Sequence, residues 1–281
     1  MAVCDEQDFK GIVIGNQGEN FSVGANLMLV WMNAQAGNFD ELEGMVKAFQ
    51  DLTSALHQWH KPVVAAPHAM TLGGGCEICL GADRVVAAAE TYMGLVEVGA
   101  GAIPAGGGCM EMIRRFVGSI PDGVELDRGP YVQALLKMIG MADVATGGFE
   151  AKRKGFLTDD DVVVINREQQ LHVAKQHVLG MAQAGYAARP KKTFKLPGKD
   201  GYAQVQLGLM HFKMSGMISD HDQKVAEKLG WILCGGDCGS QEVSEDDLLD
   251  LERAAFVALS SEEKSLARMQ SLLMTGKPLR N

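Results

Sequence analysis

The chain has 281 residues, enough for one large domain or two small ones, and either arrangement buries a real core. Its composition is that of an ordinary globular protein, with sixteen methionines that suit an adaptable apolar interior, and its net charge is −9. That charge argues against a general nucleic-acid or anionic-membrane binder, and it requires any anionic ligand to be held by local basic residues and backbone amides.

The first nine residues, MAVCDEQDF, carry no basic-then-apolar leader, and no apolar run is long enough to cross a bilayer, so a cytoplasmic location is expected. Residues 10–15 are a short β-rich run read as a buried strand. Residues 27–36 read as a helix that Gly37 and Asn38 break. From 39 to 59, Leu42, Met45, Val46, Phe49, Leu52 and Leu56 recur at helical spacing and predict an amphipathic helix. PVVAAP at 62–67 is a strand bounded by prolines, and 83–88 is another. This alternation predicts an α/β fold with parallel pairing.

Beyond Gly108 the pattern turns helical, with helices at 110–116 and 131–139 around a turn-rich loop at 119–129. Further helices are predicted at 165–184, 204–229, 245–259 and 260–274, with a Pro-, Lys- and Gly-rich loop at 187–201. Ser244 is placed as an N-cap, and the last helix ends at Gly276 ahead of Pro278. The six cysteines lack a disulfide-scaffold spacing and fit a reducing compartment. Cys76/Cys79 with Cys234/Cys238 could be imagined as a zinc site, but the first pair opens an apolar helix without knuckle-type turns, so no metal is expected.

The stretch from Thr71 to Gly108 carries the chemistry. Gly73, Gly74 and Gly75 lead into an apolar run bearing one carboxylate, Glu77, and a second, Glu97, stands twenty residues on beside further glycines. Burying an unpaired charge is costly, so two carboxylates in apolar surroundings call for a reason. Glycines before a helix let a ligand approach bare backbone N–H groups where the helix dipole favours negative charge. An anion site of backbone amides beside two carboxylates points to proton chemistry on a carbonyl compound. The plainer alternatives are a tight strand-to-helix turn for the glycines, a dipole partner for Glu77 and a surface residue for Glu97. Gly99-x-Gly101 lacks the rest of a dinucleotide fingerprint, because Pro104 falls where glycine is needed and no suitable βαβ unit follows. His60 and His68 read as packing or surface residues, and the five-residue spacing of His172 and His177 does not suit a metal site. Lys191, Lys192 and Lys195 read as a solvated basic loop.

GANL at 24–27, KPVVAAPHAMTLGGGCE at 61–77 and ETYMGLVEVGAGAIPAGGG at 90–108 together resemble the signature of the crotonase (enoyl-CoA hydratase/isomerase) superfamily. The resemblance covers roughly residues 9–157, while the tail from about 207 is similar to the C-terminal hydratase domain of fused 3-hydroxyacyl-CoA dehydrogenase/enoyl-CoA hydratase proteins. It implies a ClpP/crotonase-like spiral of βαβ units, with a crotonase core at 1–157 and a helical C-terminal region at 158–281. The core would carry an insertion at about 109–145 and would lack the family's first strands and helix, so the chain reads as shortened at its start. The resemblance assigns the oxyanion-hole amides to Ala25 and Gly74, acid–base catalysis to Glu77 and Glu97, and substrate binding to Gly24, Gly73 and Gly75. Asn26 stands where the family most often has aspartate, a position read as structural.

The implied activity is hydration of a trans-2-enoyl-CoA to a 3-hydroxyacyl-CoA in fatty acid β-oxidation. Coenzyme A enters as part of the acyl-CoA thioester substrate, with no separate cofactor. The alternatives are a double-bond isomerase, which can work with one carboxylate, and a catalytically impaired acyl-CoA-binding or assembly fragment. A homo-oligomer is expected, together with a 3-hydroxyacyl-CoA dehydrogenase domain or subunit and a thiolase as partners, and with neither nucleic acid nor membrane.

Overall fold

The computed structural model describes residues 1, 5, 7–121, 123–237 and 242–281. In chain order the elements are β1 (Ile12–Ile14), α1 (Leu27–Gln35), α2 (Phe39–Gln58), β2 (Val63–Ala65), β3 (Ala69–Leu72) and α3 (Gly74–Gly81). There follow β4 (Arg84–Ala88), β5 (Thr91–Gly94), a 3₁₀ turn (Glu97–Ala100), α4 (Gly108–Phe116), α5 (Gly129–Gly140), α6 (Gly148–Arg153), β6 (Val162–Val164) and α7 (Gln170–Gln183). The remainder is β7 (Thr193–Lys195), α8 (Gly198–Met214), α9 (Asp220–Leu233), β8 (Glu242–Ser244), α10 (Glu245–Ser260) and α11 (Glu263–Thr275). These elements fall into two compact units, each discontinuous in sequence.

The first unit comprises Met1–Gly24, Asp51–Gly94 and Val144–Pro190. Its centre is a four-stranded parallel sheet in the order β1-β2-β4-β6, with Ile12 opposite Val63, Ala65 opposite Val85 and Val86 opposite Val162. The strands are short and rich in valine because both faces are covered, which removes the need for polar alternation. On one face Ala174 and Val178 of α7 pack with Val64, Ala66 and Val86. Leu56 and Trp59 form a separate cluster with Val63, flanked by Ile12, Ile14 and Ile78. Each valine or leucine among these contributes about 1.5–3 kcal/mol on full burial. Two carboxylates close the strand ends: Asp83 accepts from the Val63 N–H and the Tyr186 hydroxyl, and Asp161 from the Val85 N–H. A second parallel pair, β3 with β5, sets Leu72 opposite Gly94.

The second unit comprises Ala25–Gln50, Leu95–Asp143 and Lys191–Asn281. Val30 and Ala34 of α1 pack with Leu42, Ala100, Ala102 and Met269 in one cluster. The part of the predicted α2 stripe that lies in this unit is buried at Leu42 and Val46, while of the part in the first unit Leu56 is buried and Leu52 exposed. Ser244 caps α10 through a reciprocal box with Asp247, and Gly276 ends α11 at φ +68°, both as the sequence indicates.

Three expectations are revised, two of helices and one of a loop. The span 204–229 is not one helix but two, α8 and α9, separated at Gly216 (φ +70°) and restarted by a capping box between Ser219 and Asp222. The restart is marked locally by Gly216 and by Ser219 three residues ahead of Asp222, signals that a reading of apolar residues alone passes over. The loop expected at 187–201 contains β7, which pairs antiparallel with β8, and the start of α8. The helix expected at 165–184 begins only at Gln170, after a 3₁₀ turn (Arg167–Gln169) capped by Asn166. Lys191 and Lys195 are engaged with Asp246 and Glu125, and Lys192 donates to the Gly118 carbonyl.

Candidate active site

In the first unit the glycines are held by strand geometry. β3 delivers the chain to Gly73, whose φ of +53° and ψ of −127° suit glycine alone. The Gly73 N–H donates to the Gly94 carbonyl at 2.9 Å, and the Leu72 N–H donates to the Ser22 carbonyl at 2.9 Å. Thus β5 and the Ser22 segment clamp the turn from two directions. Gly24, at φ +108°, lies against it: a methyl group built there would sit 3.5 Å from the Leu72 oxygen and 3.8 Å from the Gly74 nitrogen. At Gly75 the constraint is space, since an added Cβ would fall 2.5 Å from the Ser22 Cβ. Gly24, Gly73, Gly74 and Gly75 are therefore brought together around one turn.

Gly74 is the first residue of α3, so its amide has no carbonyl to meet within the helix. Among the described residues it donates to none, while the Glu77 N–H already closes onto the Gly73 carbonyl at 3.0 Å. A bare amide at a helix start, with the dipole behind it, stabilises negative charge that approaches along the helix axis. Glu77 sits within the first turns of this helix and is 4 % exposed. Cys76 and Cys79 are buried on the same helix, outside any disulfide. Cys238 lies outside the described residues, and among the described residues no group of three His, Cys, Asp or Glu is placed to hold a metal ion.

Ala25 and Glu97 belong to the second unit. Ala25 is exposed and follows Gly24 directly. Among the described residues its N–H donates no hydrogen bond. Next to it Asn26 caps α1, its side-chain oxygen accepting from the Leu29 N–H at 3.2 Å, which gives this position a structural task. Glu97 opens the 3₁₀ turn and is half-buried, with its Oε2 atom out of reach of solvent. The turn closes at Gly101 (φ +73°), and Ala100 and Ala102 anchor it in the apolar cluster with Met269.

The supporting residues are the ones that sequence reasoning misses. β3 and β5, which aim the Gly73 turn, escape it because four-residue strands of mixed polarity give no periodic signal. Ser22 looks like an ordinary loop residue. In the second unit, Glu252 is wholly buried and accepts from the Gly107 N–H at 2.8 Å and the Met110 N–H at 2.7 Å, so it caps α4 from 142 residues away. Ser265 and His221 hold Gly101, across separations no local pattern reveals. His68, expected as a packing or surface residue, is buried with its Nε2 3.0 Å from the Gly18 carbonyl, whereas His60 is exposed near Asp5.

Comparison with known proteins bears on this geometry. The family described as enoyl-CoA hydratase/isomerase matches residues 1–121. A probable 3-hydroxyacyl-CoA dehydrogenase of Bacillus subtilis (strain 168) is 44% identical over 279 residues, which is 98% of this chain and 34% of that protein. The fatty acid oxidation complex subunit alpha of Vibrio campbellii is 33% identical over 143 residues, covering 50% of this chain and 20% of the relative. This chain thus spans about a third or less of the length of these curated relatives. Among solved structures, an enoyl-CoA hydratase from Bacillus halodurans superposes with a TM-score of 0.62 at 16% identity, covering 96% of this chain and 85% of that one. At that identity the likeness speaks for the fold.

Proposed function

We propose enoyl-CoA hydratase activity for this chain, which belongs to the crotonase (enoyl-CoA hydratase/isomerase) superfamily and has the crotonase fold. The substrate is a trans-2-enoyl-CoA and the product a 3-hydroxyacyl-CoA. The observation that carries this reading is the turn at Gly24 and Gly73, which leaves the Gly74 amide open at the start of a helix bearing the buried carboxylate of Glu77.

In the reaction the thioester oxygen takes on negative charge as water adds to the β-carbon. The Gly74 N–H, with the Ala25 N–H, donates to that oxygen, and each donor of this kind is worth about 3 kcal/mol of barrier. One of the carboxylates of Glu77 and Glu97 takes a proton from the attacking water, and a carboxyl supplies the proton that the α-carbon acquires. Gly24, Gly73 and Gly75 serve by letting the turn form that presents the Gly74 amide, Gly24 and Gly73 through their positive φ and Gly75 through its close approach to Ser22. The product is a secondary alcohol β to the thioester, the substrate class of a 3-hydroxyacyl-CoA dehydrogenase. This chain covers 34% of a relative bearing that name, which supports a dehydrogenase domain or subunit as partner, and relatives named for fatty acid oxidation complexes are in keeping with the further proposal of a thiolase. A cytoplasmic location is part of the proposal; among the described residues no helix is long and apolar enough to cross a membrane.

The test follows the loss of the conjugated thioester absorbance of crotonyl-CoA in the presence of the protein. Hydration that disappears in Glu77→Gln supports the reading. Double-bond migration in a 3-enoyl-CoA without hydration would replace it with isomerase activity, and full hydratase activity in Glu77→Gln would end the two-carboxylate scheme.

A further inference from the structure

The 3₁₀ turn that carries Glu97 ends at Gly101, and Gly101 is gripped by a buried chain of polar groups within the second unit. The Gly101 carbonyl accepts from the Ser265 hydroxyl at 2.7 Å, and the His221 Nε2 lies 2.9 Å from the same hydroxyl oxygen. Ser265 is wholly buried and His221 is 3 % exposed. A hydroxyl has one proton. At 2.7 Å from a carbonyl oxygen it must point that proton at the carbonyl, because two lone pairs at that distance repel. His221 is therefore the donor to Ser265, with its proton on Nε2.

The grip is tight on both sides. A methyl group on Gly101 would lie 2.9 Å from the Ser265 Cα and 3.1 Å from the Arg268 Cδ. Arg268, itself buried, pairs with Asp222 at 2.7 Å and donates through Nε to the Asn281 side chain at 2.9 Å. The starts of α9 and α11 are thereby tied to each other and to the end of the Glu97 turn. The turn's own hydrogen bonds run back from this point, Gly101 N–H to the Val98 carbonyl and Ala102 N–H to the Glu97 carbonyl. A shift at Gly101 is thus passed to the backbone of Glu97.

We infer that Ser265, oriented by His221, is a positioning residue that fixes the Glu97 carboxylate through the Gly101 carbonyl. This rests on the hydratase reading of Glu97. General acid–base transfer is steeply sensitive to placement, so loosening the turn lowers turnover while leaving binding of the long CoA portion in place.

Steady-state hydration of crotonyl-CoA by the purified chain tests this with Ser265→Ala, His221→Gln, His221→Leu, Glu97→Gln and the Ser265→Ala/Glu97→Gln double variant. Ser265→Ala is expected to lower kcat about tenfold or more with KM within about threefold. His221→Gln keeps an N–H donor and retains most of kcat, whereas His221→Leu falls with Ser265→Ala. In the Glu97→Gln background the serine substitution adds nothing, because its effect passes through that carboxylate. Wild-type kcat in Ser265→Ala beside a crippled Glu97→Gln overturns the positioning role alone, as does an undiminished serine effect in the double variant. If Ser265→Ala does not fold, equal kcat in the two His221 variants overturns it. A wild type without hydration overturns the hydratase reading and this role with it, whereas a fully active Glu97→Gln leaves hydration standing and overturns the role of Glu97 together with this one.

Discussion

Gly75→Ala is the sharpest probe of the turn that leads into α3. The added Cβ would lie 2.5 Å from the Ser22 Cβ, 2.8 Å from its Oγ and 3.0 Å from its carbonyl oxygen. Carbon atoms rest about 3.5–4.0 Å apart, so the start of α3 or the Ser22 segment must move by about 1 Å. Ser22 is itself tied to the turn by its carbonyl bond to the Leu72 N–H, which makes retreat costly. Overpacking of this kind costs about 1–3 kcal/mol of stability. A misplacement of about 1 Å at donors serving a transition state costs on the order of 100-fold in rate. The assay pairs crotonyl-CoA hydration with urea unfolding. Gly75→Ala should lose about two orders of magnitude in kcat while staying folded, and Gly75→Ala/Ser22→Gly should recover part of it, since two of the three close contacts go. Gly44→Ala, in the middle of α2 with nothing within 4 Å of the new methyl, is the control. It should leave kcat alone and raise stability by up to about 1 kcal/mol. An unchanged kcat in Gly75→Ala, or an equal loss in the control, would refute the close-approach argument.

The other expectations concern charge. Glu77→Gln and Glu97→Gln should each lower kcat by orders of magnitude with little change in KM, and their combination should be barely worse than either; additive losses would show that the two do not act as a unit. Burial holds the His221 imidazole below its ordinary value of 6.5, and nearby Arg268, Lys264 and Lys224 act the same way against an opposing Glu262. The unfolded chain therefore takes up this proton first, so stability is full above about pH 6.5 and falls as pH drops toward the folded value. His221→Gln should flatten that part of a urea-midpoint profile, and an identical slope in the variant would contradict the assignment. The buried pair Arg114–Glu245 should make Arg114→Met cost about 3–5 kcal/mol in urea unfolding, because the buried Glu245 loses its countercharge. A cost below about 1 kcal/mol would mean that solvent reaches Glu245 in the variant.

How much of this is legible depends on how far apart the interacting residues lie in sequence. The valine runs of β2 and β4, the prolines beside β2 and the Ser244 cap are local signals, and the structure has them where the sequence puts them. β7 escapes a sequence reading because Thr193 becomes a strand residue only through pairing with Ser244, far along the chain. β3 escapes for the same reason, its register being set by β5 after α3 and β4 have intervened. At the candidate site, Gly73 and Glu77 can be read from spacing. The bond from Ser265 to Gly101 spans 164 residues and leaves no trace in either neighbourhood.

The chain has two runs of three glycines ahead of a helix, 73–75 and 106–108, and the glycine runs by themselves do not rank the two. Electrostatics does. A helix start can satisfy its bare amides with an anion from the protein or with one from a ligand, and a carboxylate already seated there repels a second negative charge. At α4 the seat is taken, since Glu252 accepts from both the Gly107 and the Met110 amides with no exposure to solvent. At α3 the Gly74 amide donates to nothing among the described residues. Negative charge that develops only during a reaction is stabilised most by donors whose hydrogen bonds are not already spent. The first glycine run, carrying Glu77 on its helix, is therefore the one the proposed reaction would use, whereas the second, for all its likeness in sequence, already spends its amides on Glu252.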